Sequence, residues 1–298
     1  MNQTLKIVIG GMGVLAVLGL FGLGVFRLAT SAPAESYGAL RDEEVFRDCG
    51  DCPDLLRIGP GAFEMGSRSR FRYKNLDLDS HPIRTVNIDY PFAAGRYEVT
   101  FSEWDACVAD GGCGGYSPLD EGWGRGDRPV IHVSWLDAQA YVDWLSAKTG
   151  QEYRLLSEAE WEYLARGGVK HAFSWGRWPS HQHANYGEKN CCVGVASGAD
   201  EWTHTSPAGS FPPNAFGVYD MAGNAYEWVE DCYQASYEGA PSDGSPFLNG
   251  DCERRRIRGG AWYSDPGRVR PSYRAYQAPS QRDYVIGFRV ARDMPYPE

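Results

Sequence analysis

Surplus positive charge is missing from this chain, and its absence excludes one broad class of partner. Across 298 residues the formal net charge is −10. Duplex nucleic acid is held by clustered excess cation that displaces counterions from phosphates, so no nucleic acid is expected to bind. Lysine is especially scarce, with five residues against 24 arginines. Arginine makes planar, bidentate pairs with carboxylates better than lysine does. Ten of the arginines lie between residues 251 and 298. Internal ion pairs with the surplus Asp and Glu are their expected use, and an anionic-ligand site is the alternative.

Other gaps remove familiar chemistries. Cys49-Gly50-Asp51-Cys52 is half of a zinc ribbon, yet the sequence holds no second Cys-x-x-Cys and no histidine pair at ligand spacing. A thioredoxin-like role for the same pair needs a βαβ context that the pattern does not provide. No Gly-x-Ser-x-Gly elbow surrounds Ser264, which weakens a hydrolase built from Ser264 and Asp265 with His204 or His132. His171, His181 and His183 fall close together beside Trp175 and Trp178. Solvent-facing loop histidines are a simpler account of them than iron or zinc ligation.

What is present can bury a core. The chain is 43% hydrophobic and 13% aromatic with 23% charged residues, which excludes wholesale disorder. Residues 7–26, IVIGGMGVLAVLGLFGLGVF, carry no charge and are flanked by Lys6 and Arg27. At ~1.5 Å per residue they reach roughly 30 Å, a bilayer core. A cleaved signal has a shorter apolar region, and the small residues at Ala32-Pro33-Ala34 enclose a proline. An inner-membrane anchor therefore fits better than a signal peptide. The expected layout is a cytoplasmic tail at 1–6, the anchor or signal at 7–26, a tether at 27–48 and one domain at 49–298.

Eight cysteines behind an export segment read as disulfides in an oxidising compartment, the periplasm or cell exterior. Cys107 and Cys113 bracket a Gly-Gly turn, which suits a short bridge. Cys49 with Cys52 and Cys232 with Cys252 are further candidates. Cys191 and Cys192 are adjacent, and adjacent cysteines join only with strain.

Helix signals are few. Thr100 to Glu103 is a capping box opening a helix that ends near Asp110-Gly111. Ser134 caps a segment from Trp135 to Thr149, with Gly150 as its C′ residue. Ser157 to Glu160 opens a third helix that stops at Gly167-Gly168. Short extended pieces such as 84–88 and 287–290 make up the rest, so the fold class is α+β with much irregular structure. Irregular backbone leaves carbonyls that need partners, and bound calcium is one physical solution.

Several segments now resemble one family in order along the chain: PGAFEMGS at 60–67, GRYEVT at 95–100, PVIHVSW at 129–135, RLLSEAEWEYLAR at 154–166, FPPNAFGVYDMAGNAYEW at 211–228, RGGAW at 258–262 and GFRV at 287–290. Together they resemble the formylglycine-generating enzyme (sulfatase-modifying factor) family over roughly residues 55–293. The resemblance implies a C-type-lectin-like fold. It also implies an oxidase that holds copper between two cysteines in a Gly-Gly-Ser-x-x-Cys-x-x-x-x-Cys segment. Here Ser264 and Val269 occupy those cysteine positions and Ala261 replaces the serine. Two thiolates select soft Cu(I), whereas an alcohol and an isopropyl group do not, so copper is not expected. The resemblance further implies calcium at Asn185, Tyr186, Asp200 and Trp202, and at a second site of Asn224, Ala225 and Glu227. Trp262, Ser264, Arg268 and Tyr273 fall where the family's substrate groove would lie. The expected function is a tethered binding or accessory module for an exported protein, peptide or glycan. The alternative is a protein-modifying oxidase with a changed active site.

Overall fold

A computed structural model describes residues 45–67, 72–73, 76–77, 80–188 and 193–296. The apolar run at 7–26, all of the tether but its last four residues, and the Cys191-Cys192 pair lie outside the described residues. Among the described residues no helix is long and apolar enough to cross a membrane.

In chain order the strands are β1 (Val45–Phe46), β2 (Leu55–Ile58), β3 (Gly61–Met65), β4 (Arg72–Tyr73), β5 (Leu76–Asp77), β6 (Arg84–Ile88) and β7 (Phe92–Gly95). Helices α1 (Phe101–Ala109) and α2 (Trp135–Thr149) follow, then β8 (Tyr153–Leu155) and α3 (Glu158–Arg166). The chain closes with β9 (Tyr226–Tyr233), β10 (Asp251–Arg258), β11 (Ala275–Gln277), β12 (Ile286–Phe288) and β13 (Val290–Asp293). The fold is α+β, with long stretches of irregular chain between the elements.

All three helices begin where their capping boxes predict. Thr100, Ser134 and Ser157 each accept a backbone N–H at N3, and the acid at N3 returns to the cap nitrogen. Such caps satisfy N–H groups that the first helical turn leaves without partners. Gly150 and Gly167 end α2 and α3 in the left-handed conformation.

Two main sheets organise the rest, ordered β1-β2-β7-β13-β8 and β11-β10-β9-β12. The extended piece expected at 287–290 is divided between them. Strand β12 pairs in parallel with β9, and β13 pairs with β7 and β8. Arg289 stands at the break, with its guanidinium buried on Glu227, Gly95 O and Tyr219 O. The hydrophobic reading of 287–290 missed this because a strand changing sheets looks like one continuous strand in sequence.

Helices α1 and α2 pack one core with residues of both sheets. Trp104 stacks on Tyr141 with centroids 5.9 Å apart and meets Phe288 edge-on at 6.2 Å. Helix α3 belongs to a second core, with Trp161 and Leu164 packed among Phe92, Val86 and Met65. Among the described residues, three disulfides join Cys49–Cys52, Cys107–Cys113 and Cys232–Cys252, the three candidate pairings. They fit an oxidising compartment.

Candidate ligand-binding site

Strand β10 delivers the site. After Arg258 the chain turns at Gly259 and Gly260, whose φ values are +92° and +77°. A Cβ on Gly260 would come within 2.6 Å of Val269 Cγ1 and 3.0 Å of Arg268 O. Only glycine lets the two passes of chain lie this close. The next residues form a stitched turn. Ser264 N donates to Ala261 O at 2.8 Å, and Ala261 N donates to Ser264 Oγ at 3.0 Å. Ser264 Oγ also reaches Tyr226 Oη at 3.4 Å, and Ser264 O accepts Gly187 N at 2.9 Å.

The four expected groove residues therefore divide. Ser264 is fully buried, and Tyr273 and Trp262 are each 6% exposed, so none of the three offers much surface to a groove. Burial pushes the Tyr273 phenol well above its ordinary range, with Tyr226 adding to the effect. Arg268 is half-buried and paired with Asp265 at 3.1 Å. Trp262 remains as part of an aromatic face.

That face is assembled from remote loops. Trp123 stacks on His204 at 4.4 Å and meets Trp262 edge-on at 5.3 Å. Tyr263 lies 5.3 Å from Trp262, and Tyr284, 42% exposed, lies within 6.5 Å of Trp123, Trp262 and Tyr263. Trp262 Nε1 is buried with no hydrogen-bond acceptor among the described residues. Beside Tyr284, His132 Nε2 and Glu121 Oε1 lie 2.5 Å apart. Both of these residues have positive φ, +58° and +56°, a conformation that costs a non-glycine residue about 1–3 kcal/mol and concentrates at functional sites. Burial, with help from Arg128, holds the His204 pKa below its ordinary value and favours a neutral stacked ring.

A family model described as the sulfatase-modifying factor enzyme 1-like domain matches residues 41–294. The chain belongs to the sulfatase-modifying factor family. It is 36% identical to the formylglycine-generating enzyme of Bos taurus over 176 residues, covering 57% of this chain and 45% of that protein. It is 34% identical over 170 residues to the Bos taurus inactive C-alpha-formylglycine-generating enzyme 2, covering 55% of this chain and 50% of that protein. The chain thus spans about half the length of each bovine relative. The solved structure of PvdO from Pseudomonas aeruginosa superposes with a TM-score of 0.71 at 39% identity, covering 84% of this chain and 98% of that one.

The metal sets implied by the family fit unequally. Ser264 and Val269 do not fit cuprous copper. The hydroxyl is a hard donor already engaged by Ala261 and Tyr226, and valine offers no donor. The first calcium set keeps one open donor. Asn185 Oδ1 is buried with no hydrogen-bond donor among the described residues, while its Nδ2 donates to His204 O at 2.7 Å. Asp200 is buried nearby in sequence, accepting Trp202 N at 3.1 Å and lying 3.2 Å from His181 Nδ1. Burial raises its pKa, as expected for a carboxylate short of positive charge. The second set does not fit. Glu227 is closed by Arg289 and by Trp161 Nε1 at 2.7 Å, and Asn224 Oδ1 accepts Ser206 N at 2.8 Å. Asn224 Nδ2 and Ala225 N both donate to the buried Glu98.

Sequence reasoning missed Trp123, Tyr284 and the Glu121–His132 pair as members of the face. Trp123 sits in a glycine-rich loop, and no local period links it to residues 160 positions away. Turn chemistry flags such a loop without showing where it lands.

Proposed function

We propose that this domain holds an extended ligand, a peptide segment or glycan of an exported partner, against the aromatic face at Trp262. In this reading it does not carry out two-thiolate copper oxidation. The observation that supports it most is the pair of substitutions at the copper positions: Ser264 spends its hydroxyl inside a turn, and Val269 is packed in a small core with Phe173 and Tyr186. The exposed Tyr284 ring, beside a buried indole N–H that has no acceptor among the described residues, suits a ligand with an apolar surface and hydrogen-bond acceptors.

Calcium is the cation we propose for the first set, held by Asn185 and Asp200 side chains with the Tyr186 and Trp202 carbonyls. Bound there, it would supply fixed positive charge to a loop whose Asn185 also carries His204, and His204 carries Trp123. We further propose that residues 7–26 tether the domain to the inner membrane, with 27–48 as spacer.

The test combines metal analysis of the full-length protein with oxygen uptake in the presence of Cu(I) and cysteine-containing peptides. Calcium without copper and without oxygen uptake supports the binding reading. Stoichiometric copper with turnover would eliminate it and favour the oxidase alternative. Peptide and glycan arrays probed with the protein and with Trp123→Ala then separate the two ligand classes.

A further inference from the structure

Two arginines on the loop before α2 are held differently. Arg125 gives Nε to Asp105 at 3.2 Å and Nη1 to Pro118 O at 2.7 Å, and it lies 4.3 Å above the Phe101 ring. Arg128 is half-buried, and its guanidinium meets no carboxylate, carbonyl or hydroxyl among the described residues. Burial draws its pKa below the ordinary value, and no carboxylate, not even that of neighbouring Asp127, raises it again. A partly desolvated cation without a counter-charge gains from any oxyanion brought to it.

This guanidinium belongs to the Trp262 face. A Cβ on Gly124, the residue after Trp123, would stand 3.6 Å from Arg128 Nε. Burial and, after it, the Arg128 charge draw down the pKa of His204. That same ring stacks on Trp123 at 4.4 Å and meets Trp262 at 4.9 Å. The carboxylate of the face is Glu121, which is engaged by His132 on the Tyr284 side. An open positive charge therefore sits beside Trp123 and His204, and the nearby negative charge is already paired.

The arrangement suits an extended peptide better than a sugar. A sugar lies flat on an open ring face, yet His204 covers one face of Trp123, and Trp262 is almost wholly buried. Tyr284 is the one exposed ring of the group. The other open features are N–H donors: the Arg128 guanidinium, and Trp262 Nε1, which has no acceptor among the described residues. Carboxylate and backbone carbonyl oxygens are the acceptors a peptide brings to such donors. The chain's net charge of −10 opposes an acidic ligand only at range, since salt screens charges beyond about 8 Å in physiological conditions. The contact pair decides.

We propose that the Trp262 face takes an acidic peptide segment, with an Asp or Glu carboxylate of the ligand paired to Arg128. This inference rests on the reading of that face as a ligand site, and it adds the class and charge of the ligand.

The test is an array of short peptides, each position varied through every amino acid, probed with the full-length protein, Trp123→Ala, Arg128→Gln and Arg128→Lys. The tightest peptides should carry Asp or Glu. Changing that residue to its amide should weaken binding about tenfold in fluorescence anisotropy. Arg128→Gln should erase the difference between acid and amide while still binding the amide peptide, with its folding checked by thermal unfolding. Arg128→Lys keeps the charge without the paired donors and should reduce the difference to about threefold. Trp123→Ala should lose both peptides. Equal binding of acid and amide that still needs Trp123 overturns this inference and leaves the ligand site standing. Acid preference unchanged in both Arg128 variants does the same. Peptide binding that survives Trp123→Ala removes the site itself. A parent protein that binds no peptide, or binds only uronate glycans on a parallel array, overturns the assignment to peptide.

Discussion

At the end of β10, Arg258 gives its two terminal nitrogens to Glu158 and Glu162, and Arg274 closes the other side of Glu158. A few residues further along, Trp262 and, across the turn, Asn185 carry buried polar atoms with no protein partner among the described residues. The first region is a lattice of paired charge in which Arg258 Nε is nonetheless buried without an acceptor among the described residues, and the second is a packed frame whose open atoms are neutral. Buried polar groups are almost always satisfied, so an open one asks for a ligand or water. In the proposed reading, the first region builds the domain and the second holds its ligand.

Breaking the closed region should have the largest effect. Glu158 is the carboxylate that buried Arg258 and Arg274 share, and Glu158→Ala should cost about 3–5 kcal/mol in urea unfolding. Retention of near-native stability would show that the lattice is dispensable.

The next test uses pH. Asp231 accepts Glu158 N and Phe247 N in the same buried region. Burial, reinforced by the Glu158 charge, pushes its pKa up to about 7. The folded state therefore keeps a proton that the unfolded chain loses near pH 4. By linkage this group lowers stability as pH rises from about 4 to about 7, at up to about 1.4 kcal/mol per unit, and has no further effect above that. Asp231→Asn should flatten this part of the stability profile relative to the parent protein. Identical slopes would place the proton elsewhere.

How much of this was legible in sequence follows the same division. Three helix starts were readable because each cap and its N3 acid lie within four residues. The disulfide between Cys107 and Cys113 was readable for the same reason of locality. The family segments brought Ser264 and Val269 to the copper positions, since that inference needs only order along the chain. Burial of Ser264 and Tyr273 was not readable, because it depends on Gly187 and Tyr226 arriving from elsewhere. Glu227 looked like a calcium ligand until Arg289, 62 residues away, was found closing it. A carboxylate's partner decides its role, and long-range partners leave no local mark.

Opening the second region further gives smaller effects. Asp200→Ala and Asn185→Ala should lower stability by about 2–3 kcal/mol more in calcium at roughly 100 times its dissociation constant than in chelator. Equal loss in both conditions would remove them as ligands. Ser264→Ala deletes the acceptor of Ala261 N and should cost about 1 kcal/mol by thermal unfolding, with metal content unchanged. A change in bound metal would mean that the hydroxyl is more than a turn element.

The division rests on hard and neutral groups standing where soft sulfurs would have to be. Anomalous diffraction at the copper edge, from crystals of the protein soaked anaerobically in Cu(I), asks this directly. The account predicts no copper density between Ser264 and Val269. A well-occupied copper peak at that position would contradict it.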